Sequence, residues 1–214
     1  MILEVKDLSK KFTQGGRTID VIDRLNLNMN AGETLAILGP SGSGKTTLLS
    51  LLAGLDSPTS GDITIAGQSI TKLNEKELTS FRGENLGIIF QQFYLFSHLT
   101  ALENVALPLE IINDKNAYKK AREALKLVGL SDREDHFPKE MSGGENQRVA
   151  FARAFVVEPK ILLADEPSGS LDTKTGHQVM DLLFDLVKRK NTTLVLVTHN
   201  EELASRCQKQ LRFT

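Results

Sequence analysis

The sequence predicts an α/β fold: a central parallel sheet, an antiparallel β patch at the N-terminus and a helical lobe inserted at about residues 92–157. Three observations predict it. Short apolar runs bounded by polar residues occur at Thr34 to Leu38, Ile161 to Asp165 and Thr193 to Thr198, as in strands buried on both faces. The N-terminal strand segments follow one another with no helical pattern between them. The stretch from Tyr118 to Val128 places Ala121, Ala124, Leu125 and Val128 on one helical face.

Taken in order, Ile2 to Leu8 reads as a first strand with imperfect alternation. Thr18 to Asn30 carries Ile19 and Val21, then Leu25, Leu27 and Met29 at period two, which predicts one or two strands with a break near Asp23-Arg24. Gly15-Gly16 is the expected turn. Thr34 to Leu38 is a buried strand, followed by a glycine-rich loop and a helix from Thr46 to Leu55. Asp62 to Ala66 and Leu86 to Phe90 are strands. Pro108 is expected to break or kink its segment, Gly129 to stop the helix before it, and Gly176 to Lys190 to form a second amphipathic helix. No repeat, low-complexity segment or linker interrupts the chain, so residues 1–214 read as a single domain.

The bulk numbers narrow the function. Apolar residues make up 40% and charged residues 25%, as in a soluble globular protein. A net charge of -1 carries no electrostatic footprint for nucleic acid. Cys207 is the single cysteine, which excludes an internal disulfide and fits a reducing compartment. The N-terminus lacks a basic start followed by an apolar run, and no stretch approaches the roughly 20 apolar residues of a membrane helix. Any membrane role falls to a partner chain.

Gly39, Pro40, Ser41, Gly42, Ser43, Gly44, Lys45 and Thr46 fit G-x-x-x-x-G-K-[ST] at every fixed position, between a strand and a helix. Glycines let successive N–H groups turn inward onto phosphate oxygens, and the helix N-terminus adds partial positive charge. Lys45 is placed to reach the β- and γ-phosphates of ATP, and the Thr46 hydroxyl to ligate Mg²⁺; Thr47 completes the phosphate-binding set. This points to a P-loop NTPase core. Ile161 to Ala164 then lead into Asp165 and Glu166, 120 residues after Lys45. An aspartate there holds Mg²⁺, directly or through water. A glutamate just beyond can deprotonate the attacking water.

Met141-Ser142-Gly143-Gly144-Glu145-Asn146-Gln147-Arg148 reads locally as a capping box, with Glu145 three residues after Ser142. It also resembles the signature motif of the ABC (ATP-binding cassette) ATPases. Further positions match in the family's order. Gln91 resembles the glutamine that senses Mg²⁺ and the attacking water, Asp172 in Ser170-Leu171-Asp172 the loop crossing the dimer interface, His199 the switch histidine at the γ-phosphate, and Phe12 the aromatic that stacks on adenine. His98, His136 and His177 match nothing and read as surface residues. Two departures stand out. Glu145 occupies a position where many relatives carry Gln, so its side chain is expected to face away from nucleotide. Ser168 and Ser170 stand where relatives often show Thr and Asn, with little effect expected.

The resemblance implies a homodimer that sandwiches two ATP. Ser142, Gly143, Gly144 and Glu145 of one copy cover the nucleotide held by the other, and Glu166, His199 and Gln91 are catalytic. Ala101 to Leu109, with the Glu145 variant, resembles the lipoprotein-releasing, macrolide-exporting and cell-division ATPases. In that subfamily the ATPase is a separate chain, peripheral on the cytoplasmic face of the inner membrane, driving an integral membrane subunit. The apolar segment from Phe93 to Asn104 is the expected landing site for that subunit, and a C-terminal regulatory domain is not expected. Other readings are a soluble cassette acting on DNA or ribosomes, a catalytically dead clamp and a small-molecule kinase. The single phosphate loop and absence of a coiled-coil insertion weigh against the first. The intact Lys45, Asp165, Glu166 and His199 weigh against the second. Nothing in the third class needs the Ser142 motif.

Overall fold

The short apolar runs form the centre of the molecule. The computed structural model describes residues 1–14 and 17–213. The expected Gly15-Gly16 turn lies outside the described residues. The N-terminal strands β1 (Leu3–Gln14) and β2 (Arg17–Met29) are followed by β3 (Thr34–Leu38), α1 (Lys45–Leu52), β4 (Ser60–Ile65), β5 (Gln68–Ser69) and α2 (Glu75–Asn85). Then come β6 (Leu86–Ile89), α3 (Ala101–Ile111), α4 (Ala117–Leu127), α5 (Gly143–Phe155), β7 (Ile161–Asp165), α6 (Thr173–Lys190), β8 (Thr193–Val197), α7 (Glu201–Ser205) and β9 (Lys209–Arg212).

Two sheets result. One is antiparallel, in the order β2-β1-β4-β5. The other is parallel, in the order β6-β7-β8-β3-β9. Alternation along the parallel strands divides the core. Ala36, Leu38, Leu162, Ala164, Leu194 and Leu196 pack toward α3, α4, α5 and α6. Their neighbours Leu35, Ile37, Ile161, Leu163, Val195 and Val197 pack toward α1 and the antiparallel sheet. Each such buried side chain contributes about 1.5–3 kcal/mol. Both faces are therefore covered, which is why these strands read as unbroken apolar runs.

Several expectations are refined. β2 is continuous, and the expected break at Asp23-Arg24 is a local irregularity: Arg24 has φ 43 and the pairing with β1 shifts register nearby. Pro108 does not end its helix; α3 runs on to Ile111 because Leu109, 1% exposed, holds the last turn in the lobe core. Edge strand β9 escaped the sequence reading because its residues are largely exposed and carry no apolar run. The Cys207 thiol is buried, and burial pushes it up to about 11, so it is an inert core group.

Candidate functional site

The parallel sheet brings its chemistry to the C-terminal ends of its strands. β3 ends at Leu38 and the chain turns through Gly39 to Gly44 into α1. Gly44 is left-handed at φ 101, and a Cβ there would lie 2.7 Å from Val21 Cγ1, so both backbone shape and space require glycine. The helix has no side-chain cap and no acid in its first turn, which leaves its leading amides to an external anion. The buried Lys45 ammonium donates to the carbonyls of Gly39 (2.8 Å) and Pro40 (2.6 Å), spanning the loop. Ser43 Oγ is buried without a partner.

The acids arrive from the next strand but one. The Thr46 hydroxyl donates to Asp165 Oδ2 at 3.1 Å. Burial raises the Asp165 carboxyl above the usual carboxylate range, against the hydrogen bond from Thr46. Glu166 turns away from β7 with φ 43, its N–H donating to Val197 O at 3.0 Å, and its Oε2 lies 3.2 Å from His199 Nδ1. A strained backbone at the end of β7 thus aims Glu166 at the residue that follows β8. Val21, Gly39, Ser41, Gly42, Gly44, Lys45, Thr46, Thr47, Gln91, Asp165, Glu166 and His199 line one cavity of about 530 Å³.

Eleven of the sequence-identified residues therefore converge, and Ser43 and Pro40 sit in the same loop. Phe12, Ser142, Gly143, Gly144, Glu145 and Asp172 do not line that cavity. Phe12 is 42% exposed on β1, with the Lys10 ammonium 4.8 Å from its ring centroid. Asp172 caps α6 by accepting from Thr175 N at 3.1 Å. Ser142 caps α5, and Glu145 closes a full capping box. A Cβ on Gly144 would lie 2.5 Å from Thr175 Cγ2, so glycine permits the close approach of α5 to α6. Of the three unmatched histidines, His98 and His177 are exposed and His136 is half-buried.

The ties that hold Gln91 and its loop lie outside the sequence motifs. Arg153 on α5 donates Nη2 to Phe93 O at 2.8 Å and Nη1 to Tyr94 O at 2.7 Å, where Tyr94 has φ 44. Ser170 Oγ donates to Gln91 O at 3.0 Å, a role its substitution for Asn did not foretell. The available signal was Arg153 itself, a charge inside the apolar run Val149 to Phe155.

The family model for ABC transporters matches residues 22–169. The lipoprotein-releasing system ATP-binding protein of Geobacter metallireducens is 47% identical over 213 residues, covering 99% of this chain and 95% of that one. An uncharacterized ABC transporter ATP-binding protein of Escherichia coli K12 is 44% identical, covering 99% of this chain and 93% of its own length. A dimeric ATP-binding cassette in a post-hydrolysis state, bound to ADP and Pi, superposes with a TM-score of 0.90 at 39% identity, covering 100% of this chain and 94% of the other. The family model over residues 22–169, and likeness to such proteins along nearly the whole length, place the chain in the ABC transporter family as an ATP-binding cassette.

Proposed function

We propose that two copies of this chain close around two ATP molecules and drive a separate integral membrane subunit. The chain is an ATP-binding and ATP-hydrolysing subunit of an ABC transporter. The observation that carries the rest is the one cavity that gathers Lys45, Thr46, Gln91, Asp165, Glu166 and His199 at the C-terminal ends of the parallel strands.

In the proposed roles, Lys45 exchanges its two loop carbonyls for phosphate oxygens. Glu166 takes the proton of the attacking water and His199, beside it, orients the γ-phosphate. Gln91 positions the water, and Phe12 stacks on adenine. The hydroxyl and carboxylate paired between Thr46 and Asp165 fit Mg²⁺, which when bound neutralises charge developing on the phosphates. Among the described residues no group of three or more His, Cys, Asp or Glu could hold a metal; Gln91, which lines the same cavity, would join Thr46 and Asp165 as a ligand, with phosphate and water completing the set. The partner's Ser142, Gly143 and Gly144 complete the site, and Asp172 lies in the crossing loop. Closure supplies in-line positioning and excludes bulk water. The dimeric cassette bound to ADP and Pi supports this reading.

No helix among the described residues is long and apolar enough to cross a membrane. We read the chain as one domain, peripheral on the cytoplasmic face of the inner membrane. Tyr94 and Phe96, 61% and 47% exposed beside the Arg153 clamp, receive a helix of the membrane subunit. The likeness to a lipoprotein-releasing ATPase supports release or export as the work done. No observation favours the alternative of acting on DNA or ribosomes.

The test is Glu166→Gln. The expected result is retained ATP binding, loss of turnover and an ATP-dependent shift from monomer to dimer in sedimentation velocity. Full turnover in that variant removes Glu166 as the base.

A further inference from the structure

Glu145 puts a negative charge at a helix end that, in the function proposed above, approaches a triphosphate. Its surroundings show how that charge is handled. Glu145 Oε2 accepts from Ser142 N and from Ser142 Oγ, both at 2.8 Å. Glu145 Oε1 accepts from Arg133 Nε at 3.0 Å. Arg133 ends the one-turn 3₁₀ segment Ser131–Arg133 that follows α4, so it reaches α5 from another element. The carboxylate is 20% exposed and the guanidinium 44%.

Protonation does not discharge this acid. Hydrogen bonds from the Ser142 backbone and hydroxyl, with Arg133 beside it, hold Glu145 down at about 2. The carboxylate is therefore ionised wherever the protein works. It also offsets the partial positive charge of the α5 N-terminus, and it engages the hydroxyl proton of Ser142. Left alone, that arrangement repels phosphate. The neighbouring acid Glu134 is itself paired with Arg122 at 2.9 Å, which leaves Arg133 as the cation bonded to Glu145.

We propose that Arg133 is a positioning residue for ATP-driven dimerisation: it cancels the Glu145 charge and holds that carboxylate in the cap, so that the Ser142 turn can meet a triphosphate on the second copy. This rests on the sandwich dimer proposed above. Arg133 acts through Glu145 and does not touch the nucleotide. Its value therefore depends on the acid being present.

The experiment uses the full chain carrying Glu166→Gln, with the ATP concentration at half-dimerisation read by sedimentation velocity at low salt. Adding Arg133→Gln is expected to raise that concentration roughly tenfold, the scale of one uncompensated charge a few ångströms away in a screened site. Arg133→Lys, which keeps the charge, is expected to stay within about twofold of the parent, because the interaction is charge and not fork geometry. Combined with Glu145→Gln, Arg133→Gln is expected to have no further effect, since the charge to be cancelled is gone. An equal shift with and without Glu145→Gln overturns the proposal and gives Arg133 a direct or purely structural role. No shift in either background overturns it as well, as does an equal loss from Arg133→Gln and Arg133→Lys. A Glu166→Gln parent that stays monomeric in ATP overturns the dimer itself, and this inference with it.

Discussion

Two helix N-termini in this chain are assigned to phosphate, and they are built in opposite ways. α1 starts at Gly44 with no side-chain cap and no acid in its first turn. α5 starts at Ser142 with a complete capping box and Glu145 in its first turn. The α1 end leaves its leading amides without a side-chain cap, so in the proposed function phosphate binding there is local. At the α5 end the Ser142 hydroxyl already caps Glu145 N and the Glu145 carboxylate takes the Ser142 N–H, so in the proposed function its encounter with phosphate depends on a dimer and on how Glu145 is neutralised. In the proposed function, that asymmetry has ATP bound by a single chain before the dimer forms.

The comparison breaks most sharply at the loop of α1. Lys45→Ala is expected to abolish ATP binding, read by titration calorimetry, because it removes the one buried ammonium at the cradle. Unchanged micromolar binding would contradict the assignment. Gly44→Ala comes next. It forces a Cβ into Val21 at a φ of 101, and strain of about 1–3 kcal/mol predicts ATP binding weakened by tenfold or more while the fold survives. A variant that binds ATP normally would mean that the loop is free to reshape.

The α5 end should respond more mildly. Ser142→Ala removes the cap, and a loss of about 1 kcal/mol in denaturant unfolding is expected, together with loss of ATP-dependent dimerisation. Dimers forming as readily as in the parent would detach the signature turn from the nucleotide. The smallest effect is in pH. Because the Glu145 carboxyl lies lower in the folded state than in the unfolded chain, its contribution is complete above the ordinary value of 4.5 and fades as pH falls toward about 2. Unfolding midpoints measured from pH 5 down to 2 should fall less steeply in Glu145→Gln than in the parent. Parallel curves would mean that the carboxylate adds nothing to the cap.

Legibility in the sequence followed the range of the interaction. Strands β3, β7 and β8 were readable because burial on both faces leaves only apolar residues between polar ends. The phosphate loop was readable because glycine, lysine and threonine at fixed spacing meet a local backbone demand. β9 was not, since an exposed edge strand exerts no compositional pressure. Pro108 misled because a local rule was overridden by burial of Leu109 in the lobe. The ties around Gln91 were invisible for a different reason: Arg153 and Phe93 are 60 residues apart, and Ser170 and Gln91 are 79 apart.

By itself the sequence determined the cradle, the acidic pair and the capped signature turn, because each is a contiguous stretch whose residue types satisfy their own backbone. Tertiary structure decided which of these meet. Parallel registry carries Glu166 to within 3.2 Å of His199 and Thr46 to within 3.1 Å of Asp165, and packing of the 3₁₀ turn against α5 sets Arg133 on Glu145 at 3.0 Å. Such contacts arise from the closing of long loops by the buried core, and no local pattern of residues encodes that distance.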